Sequence, residues 1–110
     1  MSFKHYALTL TGVAQRLSSV LAVIEPGGSQ DLACRQIFLS ADPANTAVVY
    51  IGGASPVVSS TSHAFALDPT QATAKDREVI GPFDAGPVKL SEIWAIGTAN
   101  ERLMIGLVEY

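Results

Sequence analysis

The stretch from Leu90 to Tyr110 reads LSEIWAIGTANERLMIGLVEY and carries the strongest fold signal in the chain. Two apolar runs, Ile93 to Ile96 and Leu103 to Val108, flank the polar sequence Thr98 to Glu101. Such runs separated by turn residues predict a β-hairpin. Both faces of this hairpin are apolar, whereas a strand covered on one side alternates apolar with polar residues. We therefore expect the hairpin to lie between two layers or to lend one face to a partner.

The composition also favours burial against other subunits. The chain has 110 residues, of which 48% are hydrophobic and only 15% are charged. Ordinary globular domains carry roughly 25% charged residues, so few charges are left for a fully solvated surface. Ser, Thr, Asn and Gln could also supply a polar exterior. A chain of this length builds one core, and we expect a single domain over residues 1–110 that forms homo-oligomers.

Charge and hydropathy exclude two classes of partner. The net charge is −3, and no basic stripe is present to neutralise phosphates, so nucleic-acid binding is not expected. The N-terminus lacks the continuous apolar stretch of a signal peptide. No segment reaches the roughly 18 apolar residues that a membrane span needs. The sequence predicts a soluble protein that is made in the cytoplasm and does not bind membranes.

Short alternating segments run through the rest of the chain. The pattern predicts strands over residues 5–11, 33–40, 48–51 and 64–67. The spacing of Leu17, Val20, Leu21 and Ile24 fits a helical turn or two, but residues 20–24 equally fit a short buried strand.

The segments between these strands carry turn and loop signals. Residues 55–63 are rich in Ser and Thr and indicate a loop or a sheet edge, and residues 81–87 contain Gly and Pro signals for tight turns. Asp68 and Pro69 fit a brief capped helical turn, and Lys75 to Glu78 a solvated loop. The whole pattern predicts an all-β fold, a small antiparallel β-sandwich or jelly-roll-like barrel with at most one or two short helical turns.

Residues that could support catalysis are few. Ser62, His63 and Asp68 supply the groups of a triad, but adjacent residues on an extended segment point apart and no nucleophile elbow is present. Cys34, the only cysteine, cannot form an intrachain disulfide and alternates like a buried strand residue. No His-x-His pair exists to hold a metal, since His5 and His63 are the only histidines. We expect no enzyme activity, no metal and no cofactor.

Trp94 is the one residue that favours a specific ligand. A tryptophan exposed on a β-surface could stack on a sugar ring, whereas its place inside an apolar strand favours the core or an interface. A carbohydrate-binding β-sandwich therefore stays open as an alternative.

Five segments together resemble a recurrent pattern of small β-sandwich virion proteins of tailed bacteriophages, in particular capsid decoration or cement proteins. The segments are Val49 to Ser55, Ser59 to Thr61, Ala66 to Pro69, Gly81 to Phe83 and Leu90 to Ala99. The resemblance covers roughly residues 47–110. It implies a module without cofactors that binds the major capsid (coat) protein on the capsid exterior, often as a trimer, and clamps coat subunits together. Another head or tail accessory protein, or a fibre adaptor, is the related alternative.

Two sets of residues are candidates for these contacts. The outward face of the predicted hairpin supplies a candidate oligomer interface, formed by Trp94, Ile96, Met104 and Val108. Polar residues outside the predicted core supply candidate capsid contacts, which are Ser2, Lys4, His5, Gln30, Asp31, Ser59, Ser60 and Thr61.

Overall fold

A computed structural model of the chain describes residues 3–20, 33–53, 62–72, 75–81 and 88–109, which form two antiparallel β-sheets around a shared core. The first sheet contains β1 (Phe3–Thr9), β3 (Ala33–Ala41), β6 (Arg77–Ile80), β7 (Val88–Lys89) and β9 (Arg102–Glu109). The second contains β2 (Gln15–Arg16), β4 (Val49–Gly52), β5 (Phe65–Leu67) and β8 (Trp94–Ile96). Two short 3-10 turns cover Leu17–Val20 and Leu90–Glu92. The predicted all-β fold, a small sandwich, is confirmed.

Strand β9 organises the first sheet, whose order is β1-β9-β3-β6. It pairs with β1, where Phe3 lies opposite Val108, and with β3, where Ile37 lies opposite Leu107. The short strand β7 pairs with the beginning of β3. The second sheet has the order β2-β8-β4-β5. Because β9 has a strand on each side, its backbone hydrogen bonds come from residues far away in the sequence.

The core lies between the sheets and is built mainly by alternation. On β9, Leu103, Ile105 and Leu107 are buried, while Met104 and Val108 are partly exposed. On β3 a bulge between Cys34 and Gln36 interrupts the alternation, so Cys34 and Ile37 are both buried. Burying one such Leu or Ile stabilises the fold by roughly 1.5–3 kcal/mol relative to leaving it exposed. The alternation read from the sequence therefore selects the inner face of β1 and β9, but not of the whole of β3.

The predicted terminal hairpin is wrong. Strand β8 pairs with β2 and β4 in the second sheet, whereas β9 pairs with β1 and β3 in the first. The connection from Gly97 to Glu101 therefore crosses from one sheet to the other. Alternation shows which side chains of a strand are buried, but it does not show which strand supplies the hydrogen bonds.

A corner of polar side chains holds this crossing in place. Arg102 N donates to Asn45 Oδ1 over 3.0 Å, and Asn45 Nδ2 donates back to Arg102 O over 2.8 Å. The Arg102 guanidinium donates to Asp42 Oδ2 through Nε at 2.9 Å and Nη2 at 2.7 Å. Asn100 adopts a left-handed backbone with φ 71, which asparagine tolerates better than most residues. The turn that leaves β8 is thus tied to the loop after β3.

Glu101 completes the corner with its carboxylate. Its Oε2 accepts from Thr46 N at 2.7 Å and Thr46 Oγ1 at 2.8 Å, and its Oε1 accepts from Ala47 N at 3.1 Å. These hydrogen bonds, led by that from Thr46 N, lower the pKa of Glu101. The pKa of Asp42 is also lowered, first by the Ala44 N–H and then by Arg102.

Several local predictions can be compared with the structure. The strands expected near residues 5–11, 33–40, 48–51 and 64–67 are present as β1, β3, β4 and β5. The loop predicted over Lys75 to Glu78 is wrong in its second half, because Arg77 begins β6 and pairs with Ser40. Asp68 accepts from Thr70 as a cap would, but Gln71 N donates to Asp68 O over 3.1 Å and closes a tight turn without a helix.

The structure describes some further predicted segments only in part. Residues 17–20 form a 3-10 turn. Residues 21–24, whose sequence fits either a helix or a strand, lie outside the described residues. The same holds for most of the predicted loop over residues 55–63 and for residues 82–87.

Gly97 is required for packing at the crossing, and its replacement tests this. A Cβ at Gly97 would lie 2.6 Å from Leu10 Cδ1 and 3.5 Å from Val49 Cγ2. Leu10 is buried and has little room to move, so we expect Gly97→Ala to lower the free energy of unfolding by about 1–3 kcal/mol. Gly53→Ala is the control, since nothing lies within 4 Å of a Cβ there. Equal urea midpoints for the two variants would contradict the packing.

The corner carboxylates predict a pH dependence of stability. The folded chain lowers the pKa of Asp42 below its usual 3.8 and the pKa of Glu101 below its usual 4.5. Each carboxylate therefore contributes its stability fully above its usual pKa, and this contribution is lost as the pH falls through its lower pKa in the folded chain. We expect Glu101→Gln to lower the melting temperature at neutral pH and to flatten its decline on acidification. The control is Glu78→Gln on exposed β6. Parallel acid profiles for the wild type and Glu101→Gln would remove this role.

Candidate functional site

The four candidate interface residues lie on two different surfaces. Trp94 and Ile96 are partly exposed on β8 of the second sheet, and Met104 and Val108 are partly exposed on β9 of the first. Because the sheets pack through their inner faces, their outer faces point in opposite directions. A single partner cannot cover all four residues with one flat contact, and their role in an interface stays a prediction.

The outer surface of the first sheet is largely apolar, and we call it the first outer face. Its apolar members are Phe3, Ala7, Phe38, Val79, Met104, Gly106 and Val108, and the polar residues His5, Gln36, Ser40 and Arg77 share the same face. Phe3 is 64% exposed and Val79 is 44% exposed. The ring centroids of Phe3 and Phe38 lie 6.1 Å apart with the rings tilted by 60°, within the separation typical of interacting aromatic pairs. Contiguous exposed apolar surface of this kind marks interaction sites on soluble proteins.

Glycine at position 106 lets the two rings meet. A Cβ at Gly106 would lie 3.4 Å from Phe3 Cζ and 3.5 Å from Phe38 Cβ, at the tight limit of ordinary contact. Because Gly106 has no side chain, the rings of Phe3 on β1 and Phe38 on β3 come together over β9. Phe3 lies across the sheet, and the first outer face extends from β1 to β6 without a charged side chain at its centre.

The outer surface of the second sheet is aromatic and cationic, and we call it the second outer face. It consists of Arg16, Tyr50, His63, Trp94 and Ile96. Arg16 Cζ lies 5.0 Å from the centroid of the Trp94 ring, within the range of a cation–π contact. The Tyr50 and His63 rings lie 4.8 Å apart at 46°. This surface offers ring faces and hydrogen-bond donors together.

A groove of about 510 Å³ runs beside the second outer face. Its walls include Tyr50 and Ile96, and its far end is formed by Gly97 and Thr98. Small-molecule sites are mostly apolar with a few polar groups that fix orientation, and this groove has that character in an open form.

The candidate capsid contacts are described only in part. Lys4 Nζ lies 3.1 Å from Glu109 Oε1, so this lysine is already paired within the chain. His5 is exposed on the outer side of β1. The other candidates lie outside the described residues, and these are Ser2, Gln30, Asp31, Ser59, Ser60 and Thr61.

The groups considered for catalysis lie in structural surroundings. His63 stacks on Tyr50, and Asp68 Oδ1 accepts from Thr70 N and Oγ1 at 2.9 and 2.7 Å. Burial, and secondarily Glu109, raises the pKa of the Cys34 thiol to about 11, so it is not a thiolate at neutral pH. Over the described ranges, no group of three His, Cys, Asp or Glu side chains could hold a metal ion. Neither described helical turn is long and apolar enough to cross a membrane.

Comparisons with known proteins give no counterpart for this chain. No protein-family model matches it, and neither a curated protein nor a solved structure does.

The sequence reading missed most of the first outer face. Phe38 could have been found, because it alternates with the buried Ile37 and Leu39. The exposure of Val79 on a strand could not be predicted, because it follows the charged segment Lys75 to Glu78, which is typical of a loop. The contact between Phe3 and Phe38 could not be found, since two strands that are distant in sequence bring the rings together across β9.

The contact between Arg16 and Trp94 predicts a quenching signature. Trp94 is the only tryptophan, so its fluorescence reports this surface alone. We expect Arg16→Gln to reduce quenching by iodide, which the guanidinium attracts, and to raise quenching by neutral acrylamide because the ring is uncovered. The lost contact should cost about 0.5–1 kcal/mol of stability. Arg35→Gln is the control; iodide quenching that changes equally in both variants would refute the contact.

Proposed function

We propose that the protein is a non-enzymatic structural virion protein that binds the outer surface of a bacteriophage capsid as a cement or decoration protein. Its partner would be the major capsid (coat) protein, and it would stabilise contacts between coat subunits. The observation that carries the proposal is the first outer face, where Phe3 and Val79 are exposed beside Phe38 on a sheet surface. The resemblance to phage β-sandwich proteins supplies the identity of the partner.

The physical logic of this role is multivalency. A flat apolar sheet face binds weakly by itself, but several such contacts from one homo-oligomer add when an assembled lattice presents all of the sites together. This mode of binding needs no cofactor and no reaction. The resemblance implies a trimer, and the solution mass measured by light scattering tests that number.

The capsid role is tested with assembled shells. Purified protein is added to bare coat shells and to dissociated coat subunits, and we expect binding to shells at least tenfold tighter than to subunits, since only the lattice offers several sites at once. Val79→Gln should weaken shell binding, because it places an amide on the first outer face. Val13→Gln is the matched control, since Val13 is also an exposed valine and lies on neither outer face. Absence of binding to shells would remove the proposal, and labelling in whole particles separates head from tail.

A carbohydrate-binding role is the second candidate. The second outer face favours it, because Trp94 is partly exposed on the same face as Tyr50, and Tyr50 lines the groove. Glycan-array binding that Trp94→Ala abolishes and Val79→Gln retains would establish this role. A blank array together with shell binding would leave the capsid role. A tail or fibre adaptor shares the chemistry of the capsid role and differs only in its place on the particle.

A further inference from the structure

The first sheet has one long edge whose backbone groups point away from the sheet. Leu10 N donates to Glu101 O over 2.8 Å, so the even-numbered residues of this segment hydrogen-bond towards β9. Arg102 engages Asn45 on the opposite side of β9 through its N and O, as the alternation of an antiparallel ladder requires. The N–H and C=O groups of Phe3, His5 and Ala7 therefore point to the open side of β1. No described strand pairs with that side.

The other edges of the two sheets are protected, as natural sheets require. Strands β2 and β7 have two residues each and β5 has three. Strand β6 has four residues and carries Arg77 and Glu78; because Ala41 N donates to Asp76 O, only Arg77 and Val79 turn their backbone outward there. Among the described strands, β1 is the only edge with seven residues, no proline and no charged side chain on its outer face.

We propose that the β1 edge is a self-association site at which a second copy of this chain adds its own β1 in antiparallel orientation about a two-fold axis. The symmetric register that uses all three open residues places His5 opposite His5 of the second copy and Phe3 opposite Ala7. Each hydrogen-bonded pair exchanges two bonds, so about six would form across the contact. The inference goes beyond the capsid role and does not depend on it.

Side chains select this register over its neighbours. Phe3 would lie beside the small Ala7 of the second copy, so the large ring has room on the outer surface. A shift towards the N-terminus would bring Lys4 opposite Lys4, and like charges in directly opposed positions are destabilising. A shift towards the C-terminus would recruit Thr9, whose C=O already accepts from Gln15 Nε2 at 3.4 Å. In the chosen register Lys4 stays paired with Glu109, so no charge is left unpaired at the contact.

The proposed contact between two β1 strands is small, so the dimer should be weak. An overlap of five residues is roughly 16 Å long, well short of the ~800 Å² per partner of a standard interface. We therefore expect a weak dimer, with a dissociation constant between about 1 μM and 1 mM. The first outer faces of the two copies would join into one continuous surface across the new pair of β1 strands. A two-fold contact closes at two chains, so it gives a dimer where the resemblance implies a trimer.

The test removes one outward N–H without altering the ladder to β9. Sedimentation velocity of the full chain over about 5–500 μM should show a monomer–dimer equilibrium, and Ala7→Pro should weaken it at least tenfold because proline has no N–H to donate. Ala7→Ser keeps both the N–H and a small side chain opposite Phe3, and it should dimerise like the wild type. Circular dichroism and thermal melting establish that Ala7→Pro is folded, as proline at an outward-facing edge position permits.

A second variant tests the register independently of proline. His5→Cys would oppose itself across the axis at a Cα separation of about 5.5 Å, which suits a disulfide, so oxidation should trap a covalent dimer. Thr9→Cys, which does not oppose itself, is the control, and Cys34 is buried and does not compete. A chain that stays monomeric throughout, a trimer, or equal crosslinking of both cysteine variants would overturn the inference. Shell binding by monomeric Ala7→Pro would leave the capsid role standing without the dimer.

Discussion

The paired hydrogen bonds between Asn45 and Arg102 are the constraint on which the rest of the structure depends. They fix the start of β9 against the loop after β3 at the point where the chain has just crossed from the second sheet. Asp42 and Glu101 reinforce the same corner from both sides. Once β9 is placed there, β1 and β3 can register against it along their whole length.

The position of β9 also decides how the protein presents its surfaces. Because β8 and β9 belong to opposite sheets, the apolar residues that neighbour each other in sequence are separated onto opposite sides of the molecule. One side is an apolar surface centred on Phe3 and Phe38, and the other carries Trp94 beneath Arg16. The two surfaces therefore differ in chemistry, since one is largely apolar and the other is aromatic and cationic.

Strand β1 adds a third surface of a different kind. Its side chains contribute to the first outer face, while its backbone offers open hydrogen-bonding groups along the sheet edge. The one Lys, Arg, Asp or Glu of β1 is Lys4, which is paired with Glu109. Among the described strands none pairs with the outer side of β1, and the proposed contact between two copies would use that edge.

The sequence by itself determined the all-β class, the positions of the long strands and the inner faces of β1 and β9, because alternation is a local property of an extended chain. On β3 the bulge after Cys34 places Cys34 and Ile37 on the same side, which alternation does not predict. Leu103, Ile105 and Leu107 are buried as their spacing requires. Only the tertiary structure decided that the last two strands do not pair, that Phe3 meets Phe38, and that β1 lies at the end of its sheet among the described strands. Each of these depends on hydrogen bonds or ring contacts between residues distant in the chain, and local periodicity carries no information about which strands become neighbours.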